Sequence, residues 1–238
     1  MEPTPLITPT TLDFFTRVIA PIERYHRWSM TGREHLPDEG GALLVVHHSL
    51  ATYDGLLLGK AVYDTTGRLP TALGDNLLFR VPGIADAVRS AGIRPANPTA
   101  GMELLKEGHL LFVAPGGMWE SLRPTREART VRWDGRRGFC RLALRAQVPI
   151  ILAACPAADD IYKVRASRVT NAVYKRFRAP FPIARGRGPT LVPRPIRLTH
   201  YVAEPLLPPP YNPATEREDV LALHREACRV MGELLLRD

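Results

Sequence analysis

The sequence predicts an α/β fold: a single domain built on a mixed, mostly parallel sheet covered by helices. Three observations carry that expectation. Apolar runs at 43–46, 109–114 and 149–154 have the length and continuity of strands buried on both faces. Segments with helical spacing separate them, as alternating strands and helices require. Each run also ends in polar or glycine-rich residues, so the chemistry collects at the carboxyl edge of the sheet, where open α/β sheets bind ligands.

The first of these strand ends is the most informative. Residues 43–46 run into His47, His48 and Ser49, and Asp54 opens the next apolar segment, Leu56-Leu57-Leu58. A neutral imidazole takes a proton from a hydroxyl near pH 7, and a carboxylate beside it steadies the imidazolium that forms. His48 is the candidate base and Asp54 its partner, with His47 the rival. Read without chemistry, one histidine ends the strand and Asp54 caps a helix.

Bulk composition sets the limits. The 238 residues suit one core, and 45% hydrophobic with 24% charged residues argues against disorder. A formal net charge of +8 points to an anionic partner, such as a membrane surface, nucleic acid or a phosphorylated carrier. Cys140, Cys155 and Cys228 lie far apart without metal-ligand spacing, so no metal is expected and the thiols read as reduced. No signal peptide or membrane-spanning run is apparent, which suggests a cytoplasmic protein, soluble or bound to a surface.

In chain order, residues 1–30 read as an N-terminal amphipathic helical segment and 31–238 as the α/β domain. Leu12, Phe15, Val18, Ile19, Ile22 and Tyr25 fall at helical spacing, with Pro21 expected to divide the segment in two. Further elements are expected as a helix at 56–63, a short strand at 69–73, two short helices or one broken helix at 76–91, and a helix at 99–107 ending on Gly108. The strand at 109–114 ends in Pro115-Gly116-Gly117-Met118-Trp119-Glu120. Paired glycines there leave N–H groups to cradle an anion. A basic stretch from Arg123 to Arg137 leads to a helix at 138–146. Beyond the next strand lie Asp159, Asp160 and Lys163, then a basic, aromatic-laced run at 165–190. A strand at 196–203 and an amphipathic helix at 215–236 complete the chain.

The order of these motifs resembles the glycerolipid (lysophospholipid) acyltransferase superfamily, over about residues 31–207. In that family a His and an Asp, separated by four residues, follow a strand and deprotonate the acceptor hydroxyl; here five residues separate His48 from Asp54. The longer spacing, the run from Ala114 to Arg123 and the Asp159-Asp160-Ile161-Tyr162-Lys163 segment are similar to the diacylglycerol-acyltransferase-like branch. The resemblance places Gly116, Gly117, Glu120, Arg94, Asn97 and Arg123 at the substrate. Where the family has an Asp-Arg pair this chain has Asn97-Pro98. That arginine would hold a phosphate, so its loss favours a neutral acceptor.

The resemblance thus implies transfer of an acyl group from acyl-CoA or acyl carrier protein to a hydroxyl of a glycerolipid-type acceptor. No cofactor is needed beyond that co-substrate. The expected partners are the donor, a lipid acceptor and an anionic membrane surface, with no nucleic acid, and the expected location is peripheral on the inner face of the membrane. Two rivals stay open. One is a lipid esterase or thioesterase with Ser49 or Ser121 as nucleophile, although no Gly-x-Ser-x-Gly elbow is present. The other is a non-catalytic lipid-binding protein of the same fold.

Overall fold

A computed structural model describes residues 9–50, 53–74, 79, 83–90, 92–165 and 183–237. Much of the basic run at 165–190, and most of the stretch at 75–82, lies outside these residues. The helices are α1 (Pro9–His26), α2 (Tyr53–Thr66), α3 (Ile84–Ser90), α4 (Pro98–Lys106), α5 (Gly117–Ser121), α6 (Gly138–Ala146) and α7 (Glu216–Leu235). The strands are β1 (Ser29–Thr31), β2 (Ala42–Val46), β3 (Thr71–Gly74), β4 (Arg94–Pro95), β5 (Leu110–Val113), β6 (Ile150–Ala154), β7 (Lys163–Arg165), β8 (Ile183–Arg185) and β9 (Thr199–Val202).

Seven strands form one sheet in the order β1-β9-β6-β2-β5-β3-β4, and β7 and β8 form a separate antiparallel pair. Every pairing in the large sheet is parallel except β6 with β9, so the sheet is mixed and mostly parallel. β2 lies at the centre with every residue buried. Alternation along it feeds two cores. Leu43 and Val45 face α6 and α7, packing with Leu144, Val220, Leu223 and Met231. Ala42, Leu44 and Val46 face α2, packing with Leu58, Ala61 and Val62. Burying such side chains contributes roughly 1.5–3 kcal/mol each, which explains why β2 carries no polar residue before His47.

The sequence reading placed several ends differently. Pro21 does not divide the N-terminal helix; it lies inside α1. Ile19, before it, is buried and Ile22, after it, packs on the same cluster of Leu57, Cys155, Ile161 and Leu198. Packing on both sides holds the helix through the missing N–H. The strand expected at 69–73 starts only after Pro70, whose nitrogen has no hydrogen to donate to the ladder. The helix expected at 56–63 extends at both ends to Tyr53–Thr66.

At the amino edge of the sheet one side chain joins three turns. Arg68 Nη1 donates to the Pro37 carbonyl at 2.8 Å, and Nη2 to those of Gly40 and Gly108 at 2.6 Å each. α7 is docked on α6 through Glu216, which accepts from Arg141 at 3.1 Å and Arg145 at 2.9 Å.

Candidate active site

β6, β2 and β5 are parallel neighbours, so the segments that follow them emerge side by side at the carboxyl edge. They are His47-His48-Ser49, Pro115-Gly116-Gly117, and the 3-10 turn Pro156–Asp160. Two separate polar clusters form there.

The first surrounds His47, whose side chain is fully enclosed. Its Nε2 lies 2.8 Å from Arg123 Nη1 and 3.2 Å from Asp159 Oδ2, and its Nδ1 lies 3.6 Å from Glu120 Oε1. Arg123 Nη1 also donates to both Asp159 oxygens at 2.8 Å, and its Nη2 lies 3.3 Å from Glu120 Oε1. The Arg129 amide donates to Asp159 Oδ2 at 2.7 Å, and that of Arg132 to Glu120 Oε1 at 3.3 Å. Burial pushes the Asp159 carboxyl up, but bonds and charge from His47 and Arg123 and the Arg129 amide outweigh it and hold it below the usual range.

Glu120 and Arg123, expected at the substrate, are therefore interior: 0% and 5% exposed, they bind each other and His47. Glu120 explains one glycine. A Cβ on Gly116 would collide with the Glu120 carboxylate, so the turn closes only without a side chain there. Gly117 adopts φ 52, and its N–H donates to the Ala114 carbonyl at 3.0 Å, so this donor of the expected anion cradle is already used. The carbonyls of Pro115 and Gly116 in turn accept from Arg136, an exposed residue that brings positive charge to the turn.

The second cluster holds His48 and Asp54. His48 is half-buried and its Nδ1 donates to the Ser49 carbonyl at 2.8 Å, which places the neutral ring's lone pair on Nε2. Burial lowers its pKa; the Ser49 carbonyl bond and the nearby charges of Glu120 and Asp54 oppose this without reversing it. Asp54, 3% exposed, accepts from Ser49 Oγ through Oδ1, and its Oδ2 lies 3.3 Å from His200 Nε2. Burial pushes the Asp54 carboxyl up, but the His200 and Ser49 bonds and histidine charge outweigh it and hold it low. The structure thus connects His48 to Asp54 by way of Ser49.

Asp54, Cys155 and His200 bring ligand-type atoms within 4.8 Å of one another. The Trp28 indole N–H donates to His200 Nδ1 at 2.9 Å, so the neutral ring carries its hydrogen on Nε2 and offers Asp54 a bond rather than a lone pair. Burial and the Asp54 charge also push the Cys155 thiol well up, which keeps it protonated.

Arg94 and Asn97 stand apart. β4 is three strand spacings from β2, about 14 Å. Arg94 Nη1 donates to the Arg89 and Ile93 carbonyls at 3.1 Å each. Asn97 caps α4, its Oδ1 accepting from the Ala100 amide at 2.8 Å. It also lines a groove of about 680 Å³ between α4 and α6, floored by Leu73, Met102, Val113 and Leu142 and reaching Pro115 and Arg136.

Sequence reasoning missed His200, Trp28 and the bridging role of Ser49. Neither His200 nor Trp28 stood beside a turn, a glycine or another candidate, so only the pairing of β1 with β9, which sets Met30 opposite His200, brings them together.

A mostly parallel sheet with a half-buried histidine, a buried acid and a glycine turn at its carboxyl edge is the architecture of an α/β enzyme domain. The chain belongs to the acyltransferase family, whose model matches residues 27–155. It is similar to proteins described as "DGAT1/2-independent enzyme synthesizing storage lipids" from Bos taurus and Homo sapiens, each 26% identical over 208 residues and 87% of this chain. An uncharacterised protein of Mycobacterium tuberculosis is 29% identical over 220 residues. The chain spans about three fifths of the length of these relatives, 59% to 61%. The fold matches the 1-acyl-sn-glycerophosphate (LPA) acyltransferase PlsC of Thermotoga maritima with a TM-score of 0.56 and 16% identity, over 97% of this chain and 85% of that one.

Proposed function

We propose that this acyltransferase moves a fatty acyl group from the thioester of acyl-CoA or acyl carrier protein to a hydroxyl of a neutral glycerolipid, with His48 as general base. The observation that carries this reading is the state of His48: half-buried at the strand end, its Nδ1–H fixed on the Ser49 carbonyl, and its pKa lowered so that the ring is neutral near pH 7. The lone pair on Nε2 takes the acceptor hydroxyl proton as the oxygen attacks the thioester carbonyl carbon. The tetrahedral intermediate collapses, the C–S bond breaks, and the leaving thiolate recovers the proton from His48. Asp54 lies close enough for its charge to steady the imidazolium between these steps. Arg136, bound to the Pro115 and Gly116 carbonyls, supplies positive charge near the developing oxyanion.

The groove between α4 and α6 has the volume of a small-molecule site and an apolar floor suited to an acyl chain. The phosphate-binding arginine of the family motif is replaced by Pro98, and Arg94 is bonded to backbone carbonyls, so a neutral acceptor fits best. The serine-nucleophile reading loses support. Ser49 donates to Asp54 and Ser121 to the Met118 carbonyl at 2.9 Å, and both are nearly inaccessible. No helix among the described residues is long and apolar enough to cross a membrane. Surface attachment is proposed instead, through the net charge of +8 and the exposed Leu191 and Val192 near Arg185 and Arg187.

The test uses the full chain, labelled palmitoyl-CoA and a panel of monoacylglycerol, diacylglycerol, glycerol phosphate and lysophosphatidic acid. Transfer to the neutral alcohols is expected to exceed transfer to the phosphorylated ones, and mass spectrometry with palmitoyl-CoA alone is expected to show no acylated protein. An adduct on Ser49 or Ser121 would overturn direct transfer. A preference for phosphorylated acceptors would overturn the neutral-acceptor assignment.

A further inference from the structure

We propose that His200 is a positioning residue that, through Asp54 and Ser49, fixes the orientation of His48; the role rests on the acyl-transfer reading above. His200 lies on β9, 1% exposed, well over a hundred residues from the motif it would serve. An indole N–H is only a donor, so the 2.9 Å bond from Trp28 Nε1 requires the lone pair of His200 to be on Nδ1. The hydrogen of the neutral ring is then on Nε2, facing Asp54 Oδ2 at 3.3 Å. The other oxygen of Asp54 accepts the Ser49 hydroxyl, and the Ser49 carbonyl accepts His48 Nδ1–H at 2.8 Å.

The result is a directed chain, Trp28 to His200 to Asp54, met from the other side by Ser49, whose backbone holds the candidate base. Each link has one satisfactory assignment of donor and acceptor. If His200 carried its hydrogen on Nδ1, two donors would oppose at Trp28 and two acceptors at Asp54. The titratable groups acting on this chain include His47, Glu120 and Cys155, and the Cys155 thiol stays protonated and adds no charge. An ordinary buried histidine would stabilise the fold and leave catalysis alone. A positioning histidine keeps Asp54 aimed and ionised, so its loss is felt in the turnover number and not in substrate binding.

The experiment compares wild type, His200→Phe, His200→Gln and Trp28→Phe, with palmitoyl-CoA and a dispersed diacylglycerol as probes, below the melting temperature of each variant. His200→Phe is expected to lower kcat about 10- to 100-fold, the range that outer-shell hydrogen-bond partners have at metal sites, with KM unchanged. His200→Gln should recover most of the rate, because its amide can accept from Trp28 and donate to Asp54 together. Trp28→Phe keeps an aromatic ring but releases Nδ1, and should lower kcat about 2- to 10-fold, the worth of one hydrogen bond. Nitrogen-15 NMR of the histidines should show neutral His200 as the Nε2–H tautomer in wild type. A His200→Phe protein that turns over like wild type, or an Nδ1–H tautomer, overturns the role. If His200→Phe does not fold, Trp28→Phe decides: unchanged kcat overturns it and reduced kcat at constant KM supports it. An active wild type beside a fully active His200→Phe sinks only the positioning role, whereas a wild type inactive on every acceptor sinks the transfer reading and this role together.

Discussion

His47 and His48 are adjacent in the chain and opposite in circumstance. His47 is enclosed, both ring nitrogens facing Arg123, Asp159 and Glu120. His48 is half-buried, with one nitrogen fixed on a backbone carbonyl. The first joins the segments after β2, β5 and β6 into one block, and the second stands on that block as the proposed base. The comparison teaches that two identical side chains at one strand end can have opposite surroundings, because successive residues leave a strand on opposite faces.

The sharpest way to break the comparison is at the proposed base. His48→Ala is expected to lower turnover about 10²–10⁴-fold, the usual contribution of a general base, with little change in melting temperature. The wild-type pH profile sharpens the same point. Only the unprotonated ring accepts the hydroxyl proton, and the pKa of His48 lies below 6.5. Activity should therefore hold as pH falls to 6.5 and be lost only at more acid values. A full-rate His48→Ala protein, or an acid limb above pH 6.5, would transfer the role elsewhere.

Next in size is the enclosed cluster. Arg123→Met leaves Asp159 and Glu120 buried without their shared cation, which costs about 3–5 kcal/mol. For a chain of this length that lowers the melting temperature by about 6–20 °C in a thermal scan. A drop of only a degree or two would show that the cluster holds nothing together. The smallest effect is expected away from both histidines. Asn97→Ala removes the cap of α4 and should cost about 1 kcal/mol in denaturant unfolding, with transfer to neutral acceptors retained. A large loss of turnover would instead place Asn97 at the substrate.

Much of the fold was legible because β2, β5 and β6 are continuous apolar runs and α6 begins and ends where the residues change character. The gathering of the three strand ends followed from parallel order alone. What could not be read was the partnership of each polar group. Spacing tied Asp54 to His48, yet Ser49 and His200 are its partners, and His200 arrives from a strand whose place in the sheet leaves no mark in local pattern. Arg123 and Glu120 were expected at the substrate; α5 and the residue pair after it fold them inward onto His47 instead. Pro21 misled because a local rule about proline was overridden by apolar contacts on both sides of it.

Arg68 carries a consequence for how this chain tolerates change in length. Its guanidinium spans the carbonyls of Pro37, Gly40 and Gly108, so the turns entering β2 and β5 are measured against one rigid fork. Loop tips are usually where extra residues are accommodated. Here a residue added to either turn moves a carbonyl off the fork and strands a partly buried cation. Growth by insertion is thereby steered to other loops, and the length of each turn is held for reasons unrelated to the candidate site at the other edge of the sheet.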